Sequence, residues 1–148
     1  MAMQKTTIGA IVVLAYVGVI VSALGALVAT QTVTNTGSIT AVGVGVYSNS
    51  GCTTVLSTIP WGTLNPGSTA TYTIYVKNTG NTAVTLSIAT SGWSPSNASN
   101  YITLTWNQTG KTLQESQSVA ALLTLSVSST ISSSITNFSF NITITGTQ

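Results

Sequence analysis

The 148-residue chain holds three lysines, one glutamate and no histidine, aspartate or arginine, for a formal net charge of +2. That length fits one domain plus a short extra segment. The charge content excludes nucleic-acid binding, which needs clustered Lys or Arg against phosphate, and it leaves no His and no carboxylate pair for acid–base catalysis.

Soluble domains run roughly a quarter charged, so this chain wets its surface by other means: Ser, Thr and Asn fill most of the sequence after residue 30. Hydroxyls and amides bind water without titrating. Acid unfolding is largely the protonation of carboxylates that the native state uses in ionised form. With Glu115 the only carboxylate side chain, that route is nearly closed, and the composition suits an acid or hot extracellular setting. Cys52 is alone, so no bridge forms within one chain. A bridge to a second subunit is open to it, but the stronger expectation is a small buried thiol.

Residues 8–29, IGAIVVLAYVGVIVSALGALVA, are uncharged and contain one serine. At 1.5 Å per residue a helix of this length crosses about one bilayer. Lys5 and the α-amino group precede it, so the positive-inside rule keeps the N-terminus cytoplasmic and sends residues after 30 outside. A cleaved signal peptide and a retained anchor both give this topology. Ala23-Leu24-Gly25 is an acceptable cleavage signal, although the apolar run is long for a signal core. The prepilin route fits poorly, because Thr6-Thr7-Ile8 separate Lys5 from Gly9. The expected domains are therefore 1–30, signal peptide or transmembrane helix, and 31–148, a β domain.

The next stretch, 31–47, begins with the flexible-looking run 32–37 and ends in a strand expected over 39–47. There Val42, Val44 and Val46 share one face and Gly43 and Gly45 the other. Bare glycine permits close approach of another backbone. The segment either fills its own sandwich as the first strand or inserts into a neighbouring copy by strand addition. The second contact is head-to-tail and non-closing, and so builds a fibre.

Beyond it the hydrophobic period stays at two, the mark of strands. A weak strand runs through Val55, Ser57 and Ile59. Stronger ones cover 69–77 (Ala70, Tyr72, Ile74, Val76), 83–89 (Val84, Leu86, Ile88) and 101–107 (Ile102, Leu104, Trp106). Two more cover 119–127 (Val119 to Val127 at alternate positions) and 137–145 (Phe138, Phe140, Ile142, Ile144). Turns separate them: Asn65-Pro66-Gly67 has type II chemistry, and Asn78-Thr79-Gly80-Asn81 is short enough for a hairpin. Turn residues also fill Ser91-Gly92-Trp93-Ser94-Pro95 and Asn107-Gln108-Thr109-Gly110. About seven strands, each with one apolar face, call for an all-β fold of two packed antiparallel sheets. Count and spacing suit an Ig-like sandwich preceded by the hydrophobic helix.

The run Gly62-Thr63-Leu64-Asn65-Pro66-Gly67-Ser68, followed by Tyr72-Thr73-Ile74-Tyr75-Val76-Lys77-Asn78-Thr79-Gly80-Asn81, resembles a signature of prokaryotic surface Ig-like domains. In those a "PG" turn leads into a strand ending in "N-x-G". The whole chain is similar in style to small secreted surface proteins of archaea, whose Ser/Thr-rich sandwiches occur in filaments and cell envelopes. That resemblance implies a pilin-like or thread-like subunit, in some cases joined by donor-strand exchange.

Four N-glycosylation sequons are present, at Asn97, Asn107, Asn137 and Asn141. The last three fall on strand faces opposite the apolar residues, where a sugar projects outward, and Asn97 falls in a turn. Cys52 has no His to activate it and the serines lack a base. Zinc-type clusters and phosphate-cradling loops are absent from the sequence. A Lys–Asn cross-link assisted by Glu115, using Lys77 or Lys111, competes poorly with plain solvated charges. Trp61, Trp93 and Trp106 read as core or rim rather than as a sugar-stacking platform.

The sequence thus predicts no enzyme, no cofactor and no metal. It predicts an extracellular or cell-surface structural subunit of a filament or envelope. Its partners are copies of itself or other surface proteins, linked through Val42, Gly43, Val44, Gly45 and Val46. The alternative is a monomeric membrane-anchored binding or adhesion module.

Overall fold

A computed structural model describes residues 35–148. The hydrophobic run 8–29, with its expected helix, lies outside the described residues, as do residues 31–34 of the linking stretch. Among the described residues no helix is long and apolar enough to cross a membrane.

The described chain is all-β. Its strands are β1 (Thr36–Val42), β2 (Gly45–Tyr47), β3 (Thr58–Pro60), β4 (Thr69–Lys77), β5 (Val84–Ser94), β6 (Ile102–Trp106), β7 (Thr112–Leu113), β8 (Ser118–Val127) and β9 (Ser139–Thr147). A short 3-10 helix, Ser96–Asn100, links β5 to β6. One sheet has the order β3-β1-β9-β5-β7 and the other β2-β4-β8-β6. All pairings are antiparallel except β1 with β9, which is parallel over its full length from Thr36↔Ser139 to Val42↔Thr145.

Alternation supplies the core. Ile74 and Val76 of β4, Ala121, Leu123, Leu125 and Val127 of β8, and Phe140, Ile142 and Ile144 of β9 are all buried in one cluster between the sheets. Burying a side chain of this size contributes about 1.5–3 kcal/mol, which is the main stabilising term in so small a domain. Trp93 stacks on Phe140 with ring centroids 4.2 Å apart and planes within 6°, closing one end of the core.

The structure changes several expected elements. The strand expected over 39–47 is two strands in different sheets, because the backbone turns at Gly43 with φ +71°. Val42 therefore does not share a face with Val44 and Val46: it is 49% exposed, while they are buried. The linker Asn78-Thr79-Gly80-Asn81 is not a hairpin. It carries the chain from β4 in one sheet to β5 in the other. Asn78 explains this, for its fully buried amide donates to Thr82 O at 2.7 Å and Leu113 O at 3.1 Å and accepts from Gly80 N at 2.9 Å. The side chain stands in for ladder bonds that an arch between sheets cannot make.

Elsewhere β5 runs on through Ser91-Gly92-Trp93, where a turn was expected, with a register shift between Ser91 and Ser94. The extra residues of a bulge absorb the turn-forming glycine without ending the strand. Asn97 lies in the 3-10 helix rather than a simple turn.

Candidate functional site

The sandwich has two lateral sides, and they are built differently. On the first, Asn35 pins the start of β1. Its Nδ2 donates to Gly62 O at 2.8 Å, and its Oδ1 accepts from Phe138 N at 3.1 Å. Its carbonyl accepts from Trp61 N at 2.8 Å. The strand then lies between β3 and β9. At Gly43 a methyl group would stand 2.5 Å from the carbonyl oxygen of Gly146. A methyl on Gly146 would stand 2.7 Å from Val44 Cγ1 and 2.9 Å from Val84 Cγ2. The close backbone approach expected at Gly43 is thus made by β9 of the same chain, whereas the space beside Gly45 is filled by the Tyr47 ring.

The segment that follows stitches this side shut. Ser48 N donates to Thr54 O and Leu56 N to Val46 O, covering β2; Ile39 N donates to Ser57 O, and Thr58–Pro60 pairs with β1. One stretch of chain therefore caps the edges of both sheets. Pro60, lacking an N–H, ends that edge.

The second side is formed by β5 and β6. Strand β7 and the residues just before it cover only the start of β5, from Val84 to Leu86. Strand β6 pairs with β8 alone. Ser128 N donates to Tyr101 O, Leu122 N donates to Asn107 Oδ1, and Val127 N points the other way to Ser68 O. By alternation Thr103 and Thr105 bond to β8, while Ile102, Leu104 and Trp106 turn their N–H and C=O groups outward. Among the described residues nothing pairs with them. Leu104, Trp106 and Ile88 are half-buried along this side.

The outer faces are rich in hydroxyls. Register aligns Thr105, Thr124 and Thr71 across β6, β8 and β4, with Thr103, Ser126 and Thr69 in the next row. On the other sheet Thr40, Thr143 and Ala89 align, and then Val42, Thr145 and Ser87. Neighbouring strands sit about 4.8 Å apart, so the first two rows are closely spaced hydroxyl ladders. Ala89 and Val42 interrupt the other two, and the β4–β8 face goes on to Leu122, Tyr75 and Lys77.

All four sequon asparagines are exposed. Asn97 and Asn137 make no side-chain hydrogen bond among the described residues. Asn107 Oδ1 continues the β6 ladder by accepting from Leu122 N at 2.9 Å. The Asn141 amide packs over Gly92, filling the place a side chain there would take. A glycan on Asn141 has less room than one on Asn97.

The remaining polar candidates stay apart. Lys111 and Glu115 are exposed on either side of β7, and Lys77 ends β4 half-buried. No group of three His, Cys, Asp or Glu gathers among the described residues. Cys52 is half-buried rather than buried. It sits at φ +52° in a loop tied by Asn49, whose Oδ1 accepts from Thr53 N and Thr54 N at 3.1 and 2.9 Å.

Trp61 is buried, with an Nε1 that has no partner among the described residues. Trp106 donates to Thr109 Oγ1 at 2.7 Å, and Trp93 stacks inward. The three rings do not form one exposed platform. The open β6 edge went unforeseen, because hydrophobic period reports faces and says nothing about which strand ends a sheet. No family model matches the chain, and no curated protein matches it.

Proposed function

We propose that this chain is an extracellular structural subunit of a surface filament or cell-envelope layer. In this reading an Ig-like sandwich is delivered through, or held at, a membrane by residues 1–30. The observation that carries the reading is the hydroxyl-rich, almost uncharged outer face of each sheet. Copies with such faces do not repel one another. Their packing responds little to pH, because almost nothing on them titrates, and little to salt, because there is little charge to screen. In this reading the exposed asparagines at 97, 107, 137 and 141 would carry sugars that clothe the assembled surface.

Strand exchange through residues 31–47 is one way of joining copies. The pairing of β1 with β9 within one chain is the pairing an exchanged strand would make with its neighbour, so exchange keeps the contacts and alters only the hinge.

The test is fractionation of the native cell surface. Sheared or detergent-resistant material that sediments as a regular assembly containing this chain supports the reading. Recovery of the chain only as a monomer in a membrane extract contradicts it and favours the membrane-anchored adhesion module. Mass spectrometry of the same material reads the four sequons; bare peptides throughout remove the glycan part of the proposal.

A further inference from the structure

The geometry points to the β6 edge as a pairing site for a second copy of this chain, joined edge to edge and antiparallel about Leu104. This inference stands on the edge itself and does not require the filament reading.

Natural sheets guard long edges with charge, proline, bulges or covering segments. Most other edges here are guarded: β2 by residues 54–56, β3 by its brevity and Pro60, β7 by having two residues. Strand β5 is open only past Leu86, at Ile88 and Thr90, before its register shift between Ser91 and Ser94. Strand β6 has none of these devices. Its sequence, Ile-Thr-Leu-Thr-Trp, is regular and uncharged over five residues. Its outward N–H and C=O groups belong to Ile102, Leu104 and Trp106.

That spacing is self-complementary. A two-fold axis at Leu104 sets Leu104 opposite Leu104, Ile102 opposite Trp106, and Thr103 opposite Thr105 of the second copy. The three outward residues then exchange about six backbone hydrogen bonds in the alternating antiparallel pattern. Apolar meets apolar on the inner face, where Leu104 and Trp106 are half-buried, and hydroxyl meets hydroxyl on the outer face. No lysine or glutamate lies on β6, so two copies meet without like-charge repulsion. The symmetric match about Leu104, with no charge on β6 to oppose it, is what favours a copy as occupant. The contact is isologous and closes as a pair. It joins two four-stranded sheets into one continuous sheet.

The test uses the full chain in detergent, in a Cys52→Ser background, with Thr103→Cys or Thr105→Cys added at these exposed positions. Under mild oxidation a mixture of the two variants is expected to give several-fold more disulfide dimer than either alone, since 103 faces 105 and not itself. Cross-linking of Thr103→Cys with itself as efficient as in the mixture, or none in any sample, overturns the proposal.

A second pair of variants guards against a thiol artefact. The Thr103→Lys/Thr105→Lys chain is expected to self-associate about tenfold more weakly, with unchanged circular dichroism. Mixing it with Thr103→Glu/Thr105→Glu should restore pairing. Wild-type association by the lysine chain overturns the proposal as well.

Discussion

One lateral side of this sandwich is sewn shut and the other is left unfinished. On the first, residues 54–60 pair with β2 and then with β1, and Asn35 ties the entry of β1 to Gly62 and Phe138. On the second, β7 and the loop before it cover β5 only from Val84 to Leu86, and β6 presents three outward-facing residues to nothing described. The difference separates two kinds of backbone demand. A strand inserted between two others must have its whole hydrogen-bonding capacity met inside the fold, whereas an edge strand can leave half to solvent or to another molecule. Stability should therefore concentrate on the first side and intermolecular contact on the second.

Substitutions sharpen that contrast in graded steps. Gly43→Val should be the most damaging, at about 2–4 kcal/mol, since it forces a β-branched residue to positive φ and drives Cβ against the Gly146 carbonyl. Urea unfolding reads it. A loss under about 1 kcal/mol would mean that β1 turns into β2 without needing that conformation.

Asn35→Ala comes next, at about 2 kcal/mol, because the Gly62 carbonyl and the Phe138 amide lose their partner in a place where water is largely excluded. Leu104→Ser on the open side should cost about 1 kcal/mol or less, as a half-buried side chain surrenders little area. A cost equal to that of Gly43→Val would erase the contrast between the two sides.

The smallest effect should come from acid. With one carboxylate side chain in the sequence, the thermal midpoint is expected to move by no more than about 3 °C between pH 7 and pH 3. A scanning calorimetry series checks it.

The legible and illegible parts of the fold divide along physical lines. Strand β4 was readable to the residue, because Ala70, Tyr72, Ile74 and Val76 alternate without interruption and Asn65-Pro66-Gly67 precedes them. Strands β8 and β9 were readable to within two residues for the same reason. What alternation could not convey was the change of sheet at Gly43. Val42, Val44 and Val46 keep their period through a corner at which the inward direction itself changes.

The arch at Asn78 was hidden likewise, since N-x-G suits a hairpin and an inter-sheet turn equally until the buried amide finds Thr82 and Leu113. The parallel partnership of β1 with β9 joins residues about a hundred apart. No local pattern encodes such a contact. The sequons were visible as motifs, but the hold of Leu122 N on Asn107 and the seat of Asn141 over Gly92 belong to the folded register alone.

Residue-resolved amide hydrogen exchange on the folded chain tests most directly whether β1 is seated in its own sandwich while β6 stands open. The expected result is that Ile39, which donates to Ser57, is protected as strongly as the amides of β9. On β6, Thr103 and Thr105 should be protected while Leu104 and Trp106 exchange rapidly in the unpaired protein. Rapid exchange throughout β1 beside a protected β9 would contradict this and show that strand undocked from the sandwich.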